Sequence, residues 1–156
     1  MNTPAERSID KIIVDIAKSV GGVREPFTST TLRTLHAEKN YTQMVNEIKN
    51  HLRLDMRLRL GLVNSAPGKQ PAWIGLPAAM PPYGTQAFRN LELTMYVRKT
   101  FLAQAPFEAV VLMFAHELTH IVLDAVGSSH HRNEKAVDLA TMVLGYVKYF
   151  ENGHVF

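Results

Sequence analysis

His116, Glu117 and His120 stand together in the run HELTH at 116–120, and that spacing has mechanical content. Residues four apart on an α-helix differ by about 40° in direction and rise about 6 Å, so the two imidazoles sit one above the other. Both can then reach one ion, each supplying a ring nitrogen at roughly 2.0–2.1 Å if the ion is zinc. Glu117 lies about 100° round from His116, beside the pair, where it can reach a water on the metal without displacing a ligand. The chemistry this permits is metal-assisted hydrolysis, with Glu117 as general base.

The surroundings of the motif point the same way. A polar stripe of His116, Glu117, His120 and Asp124 opposes an apolar side of Val111, Phe114, Leu118, Ile121 and Val122. Such a stripe is by itself what any surface helix shows. Here, however, no Lys or Arg occurs between Lys99 and Arg132, and a site for a dication needs neutral or negative neighbours. Glu134 and Asp138, again four apart, project from one face of the next helix, with Gly145 on that face to permit close packing. Asp124 is a poor third ligand, because on a straight helix it lies about 12 Å along the axis from His116. His130 and His131 in the intervening loop could swing in, so the third ligand stands between Glu134 and a loop histidine.

HELTH followed by NEKAVD at 133–138 resembles the gluzincin pattern, HExxH plus NExxxD, of thermolysin-like zinc peptidases. The short gap and small chain make it most similar to the compact single-domain members called minigluzincins, over residues 91–145. The resemblance implies a zincin-like fold, with zinc held by His116, His120 and Glu134, and Glu117 as general base. It also implies that Asp138 accepts a hydrogen bond from the outer nitrogen of a ligand histidine, His116 first, which fixes tautomer and ring orientation. Metzincins are excluded because Val126 stands where their third histidine belongs.

The tetrahedral oxyanion of peptide hydrolysis usually needs a second stabiliser beside the metal. In thermolysin-like enzymes a tyrosine and a histidine serve, from a region this chain does not match. Tyr146 and Tyr149 are unsuitable, at about 18 and 22 Å along the helix from Glu134. His130, His131 and Tyr83 are the candidates, each with an ordinary loop role as the alternative. The expected substrate is a peptide or protein. The rival reading is a regulatory or binding module whose zinc is structural or catalytically unused.

The elements that must position these groups are legible in outline. Ile9, Ile12, Ile13, Ile16 and Val20 have helical spacing over 5–20, and Gly21 and Gly22 stop that helix. Residues 23–40 read as a loop with one short turn, followed by a helix over 41–52. Leu54, Met56, Leu58, Leu60 and Leu62 alternate with polar or small residues, predicting a strand over 54–63. A turn at 65–68 closes it, 72–76 is a short partner strand, and proline-rich 77–86 is a loop. Leu91, Leu93, Met95 and Val97 predict a further strand whose exposed edge could pair with an extended peptide. Helices over 106–126 and 132–152 complete the chain, each followed by glycine. The expectation is one α+β domain spanning 1–156, its small, mostly antiparallel sheet packed on the HELTH helix and the C-terminal glutamate helix.

Bulk properties bound the function. The 156 residues are 46% apolar and 20% charged, enough for an ordinary core and against a disordered chain. A net charge of +3 lacks the concentrated basic signature of a nucleic-acid binder. The dense patch of Arg53, Arg57 and Arg59 reads as a solvated strand face. There is no cysteine, so disulfides and thiolate metal sites are ruled out. No signal peptide is evident, and the longest apolar stretch, 109–115, is far too short to span a bilayer. A cytoplasmic location is the expectation.

Overall fold

A computed structural model describes residues 3–64, 68 and 70–152. In chain order the elements are α1 (Pro4–Val20), α2 (Thr30–Ala37), α3 (Tyr41–His51), β1 (Arg57–Val63), β2 (Ala72–Ile74), α4 (Gln86–Arg89), β3 (Glu92–Arg98), α5 (Lys99–Gln104), α6 (Phe107–Ala125), α7 (Glu134–Thr141) and α8 (Val147–Asn152). The fold is α+β, as expected: helices pack together beside one small sheet.

The sheet differs from the expectation of a mostly antiparallel one. Its order is β1-β3-β2, with β3 parallel to β1 over Arg57↔Glu92 to Val63↔Arg98 and antiparallel to β2. β2 was expected beside β1; instead β3 inserts between them. Of the three strands β3 is the most enclosed, with Leu93, Met95 and Val97 all buried on one face. It takes the centre, and β2, with three residues, takes an edge. The sheet's edge strands are β1 and β2, and β3 has no edge to offer an extended partner. The turn expected at 65–68 lies outside the described residues except for Gly68.

The 23–40 segment holds more structure than a loop with one turn. Ser29 caps α2, its hydroxyl accepting from the Leu32 amide at 3.4 Å, and Leu32 and Leu35 go into the core. Asn40 likewise caps α3 by accepting from the Gln43 amide.

α6 is the axis of the molecule and not a surface helix. Val110, Val111, Phe114, Ala115, Leu118, Ile121 and Leu123 are all fully enclosed. Only Glu108, Glu117, His120 and Asp124 stay half-buried along it, so its polar stripe faces a cleft and other loops. Its end is sharply defined: Gly127 takes φ 76°, its amide donating to Asp124 O and the Ser128 amide to Leu123 O. This Schellman arrangement turns the chain back toward α7.

The last helix is not continuous from 132 to 152. α7 runs into a kink within Met142–Tyr146 before α8, where Gly145 leaves helical geometry at φ 112°. Carbonyls released there are taken by the strap 23–28, through Arg24 N to Val143 O at 2.9 Å and Phe27 N to Gly145 O at 2.7 Å. A Cβ on Gly145 would lie 2.6 Å from the Glu25 carbonyl oxygen. The close packing at this glycine is thus against the strap backbone. Among the described residues, no helix is long and apolar enough to cross a membrane.

Candidate metal centre

α6 and α7 bring three side chains together. Asn133 caps α7 by accepting from the Ala136 amide at 3.2 Å, which makes Glu134 its first residue and swings it over α6. His116 Nε2 lies 2.7 Å from Glu134 Oε2, and His120 Nε2 lies 3.2 Å from Glu134 Oε1. The two rings stand nearly perpendicular, at 78° and 5.1 Å between centroids. Their ligand atoms and a Glu134 oxygen all lie within 4.8 Å of one another, so His116, His120 and Glu134 form a candidate metal-binding triad.

The outer nitrogens are both engaged. His116 Nδ1 donates to Asp138 Oδ1 at 2.7 Å, and His120 Nδ1 donates to the His131 carbonyl oxygen at 2.6 Å. A carbonyl oxygen only accepts, so the hydrogen of a neutral His120 ring is on Nδ1 and the Nε2 lone pair faces Glu134. Lone pairs on imidazole and carboxylate then confront each other, and only a proton or a cation between them makes the contact favourable. The donor set, two imidazole nitrogens and a carboxylate with orienting partners behind the rings, fits a divalent transition ion such as zinc.

Burial and charge tune the groups differently. Glu117, largely enclosed on the cleft side of α6, has its carboxyl pushed up to about 7 by burial, with Glu134's charge adding and His116 opposing. Burial pulls His116 down, but the hydrogen bond to Asp138 and the carboxylates of Glu117 and Glu134 outweigh it, and the imidazolium ends above its usual value. Burial dominates at His120, which falls below its usual value despite the His131 carbonyl and Glu134.

His116, Glu117, His120, Glu134 and Asp138 share one cleft of about 660 Å³. Its other wall, unforeseen in the sequence, comes from Gln70, Pro71, Ala72, Trp73 and Ile74, with Leu112, Met113 and Phe150 lining the depth. The chain's single tryptophan was the one available signal for that wall.

The three loop candidates for oxyanion stabilisation are not brought to the cleft. Tyr83 donates its hydroxyl to Arg53 O at 2.6 Å and packs its ring on Phe88. His130 Nε2 lies 3.7 Å from Asp15 on α1. His131 bonds Ser128 O through Nδ1 and sets Nε2 3.8 Å from Asp124. None of them is among the residues lining the cleft. After the Schellman turn the loop sets the His130 and His131 side chains toward Asp15 and Asp124 and the His131 carbonyl toward His120. Neither loop histidine competes with Glu134 in this arrangement, and Asp124 is held by the loop.

Comparison with known protein families, with curated proteins and with solved structures found no match to this chain.

Proposed function

We propose that this protein is a zinc-dependent peptidase, with zinc held by His116, His120 and Glu134. The observation that carries this reading is the Nδ1-engaged, Nε2-convergent histidine pair facing a carboxylate, beside a half-buried Glu117 in the same cleft. Zinc in that triad supplies a Lewis acid that polarises a scissile carbonyl and makes water acidic enough to react near neutral pH. Glu117 takes the proton of the attacking water and passes it to the leaving amine. Burial already raises this carboxyl in the metal-free protein, the direction that makes a carboxylate a stronger base. Asp138 and the His131 carbonyl hold the rings in the tautomer that leaves both Nε2 atoms for the metal.

The substrate's binding mode follows from the sheet. Among the described residues β2 pairs only with β3, and its residues line the cleft. An extended peptide can add to its free edge through main-chain hydrogen bonds. Leu112, Met113, Ile74 and Phe150 offer apolar surface to a substrate side chain. The test is hydrolysis of a quenched-fluorescent peptide library by zinc-loaded protein, with Glu117→Gln as control. Turnover lost in that variant while zinc is retained supports the reading; equal turnover contradicts it.

One observation favours the second reading, a binding or regulatory module with an unused zinc. Tyr83, His130 and His131 are all committed elsewhere, so none stands ready as the second oxyanion donor. Zinc bound with no turnover, together with peptide binding, is the outcome that selects it.

A further inference from the structure

β2 has only three residues and one neighbouring strand, which is little to fix a cleft wall. Arg98, the last residue of β3, supplies what is missing. Its Nε donates to Gln70 O and its Nη2 to Gly68 O, both at 2.6 Å, while its amide donates to Pro71 O at 2.9 Å. The same guanidinium lies 5.9 Å from the centre of the Trp73 ring. On its other flank Trp73 stacks on Tyr96 at 5.6 Å, and Tyr96 lies so close over Gly61 that a Cβ there would come within 3.0 Å of the ring. One side chain thus ties the approach to β2 at two carbonyls, and its own backbone ties a third.

We propose that Arg98 is a positioning residue for the peptide-binding edge of the cleft, fixing Gly68, Gln70 and Pro71 so that β2 presents its free edge beside the metal triad. The inference rests on the peptide reading above and adds the residue that sets the cleft's width. Short charge-assisted hydrogen bonds are roughly twice as strong as neutral ones, and the planar guanidinium spans two carbonyls at once. Lysine can reach one carbonyl but cannot fork.

Trp73 provides the readout, because it is the only tryptophan and lies in the wall concerned. Two probes separate edge from metal: leucine hydroxamate, which reaches only the zinc and the adjacent apolar surface, and a pentapeptide hydroxamate long enough to lie along β2. Each is titrated by tryptophan emission into zinc-loaded wild type, Arg98→Ala and Arg98→Lys. Arg98→Ala should weaken the pentapeptide probe by about tenfold, leave leucine hydroxamate and zinc affinity unchanged, and be partly rescued by Arg98→Lys. Equal weakening of both probes, or of neither, overturns the proposal. If neither probe binds wild type, the peptide reading fails, and hydrogen exchange at 72–74 decides on the clamp alone. Faster exchange there in Arg98→Ala, with α6 unchanged, upholds it; unaltered exchange removes it.

Discussion

His120 Nε2 and Glu134 Oε1 face each other at 3.2 Å, and both are acceptors once His120 gives its Nδ1 hydrogen to the His131 carbonyl. At 2.7 Å His116 Nε2 meets Glu134 Oε2, with Asp138 behind the ring, and in the metal-free protein a proton favoured on His116 by these carboxylates satisfies that contact. A dication between the three groups would replace that proton and turn the His120 contact into coordination. The ligand hierarchy follows from this geometry. Glu134→Ala should weaken zinc binding by more than Asp138→Ala, for which a loss of roughly 10–100-fold is expected. Competition titration with a chromogenic chelator checks the order, and a larger effect at Asp138 contradicts it.

Glu117 is a cleft residue outside the triad. Glu117→Gln should keep full zinc stoichiometry and lower peptide turnover by about 10²–10⁴-fold, the range for removing a general base. Zinc lost along with turnover would make Glu117 a ligand instead.

The metal-free protein should show the cost of burying Glu117. Its carboxyl sits at about 7 in the fold against 4.5 as the reference value, so the folded chain binds the proton more tightly than the unfolded one. Stability therefore falls as pH rises from 4.5 to about 7, by something on the order of 2–3 kcal/mol. His116, raised in the fold, loses stabilisation as pH rises through its folded value and deepens the fall above its usual range. His120, lowered in the fold, opposes it by gaining stability as pH climbs toward its usual value. Denaturation of metal-free protein at pH 5 and pH 8 should show Glu117→Gln losing less stability than wild type across that interval. Identical losses would mean that the carboxyl titrates normally.

Gly145 carries a prediction remote from the metal. Its φ of 112° and the Glu25 oxygen 2.6 Å from a would-be Cβ leave no room for alanine. Gly145→Ala should cost at least about 1–3 kcal/mol, read as a lower denaturation midpoint. An unchanged midpoint would show that the strap does not close on the kink.

What the sequence disclosed was local. His116, Glu117 and His120 take their relative places from helix geometry alone, and Glu134 and Asp138 share a face by a second four-residue interval, while the choice between Glu134 and a loop histidine as third ligand waited on the placement of α7. Three things were hidden because they depend on tertiary partners. Spacing grouped the polar residues of α6 in one stripe without telling that neighbours enclose that helix on nearly every side. The alternation in β1 and β3 marked strands without telling that β3 would separate β1 from β2. His131 was visible as an imidazole, whereas the atom that reaches the centre is its backbone carbonyl. A carbonyl belongs to every residue and leaves no trace in side-chain type.

The most direct test is zinc K-edge X-ray absorption, with metal quantification, on protein purified without a histidine tag. One zinc per chain is expected, with two imidazole nitrogens at roughly 2.0–2.1 Å and carboxylate oxygen in the remaining protein position. In Glu134→Ala the histidine signal should persist while affinity falls. Zinc well below one per chain after loading, or a shell with fewer than two imidazoles, would contradict the account.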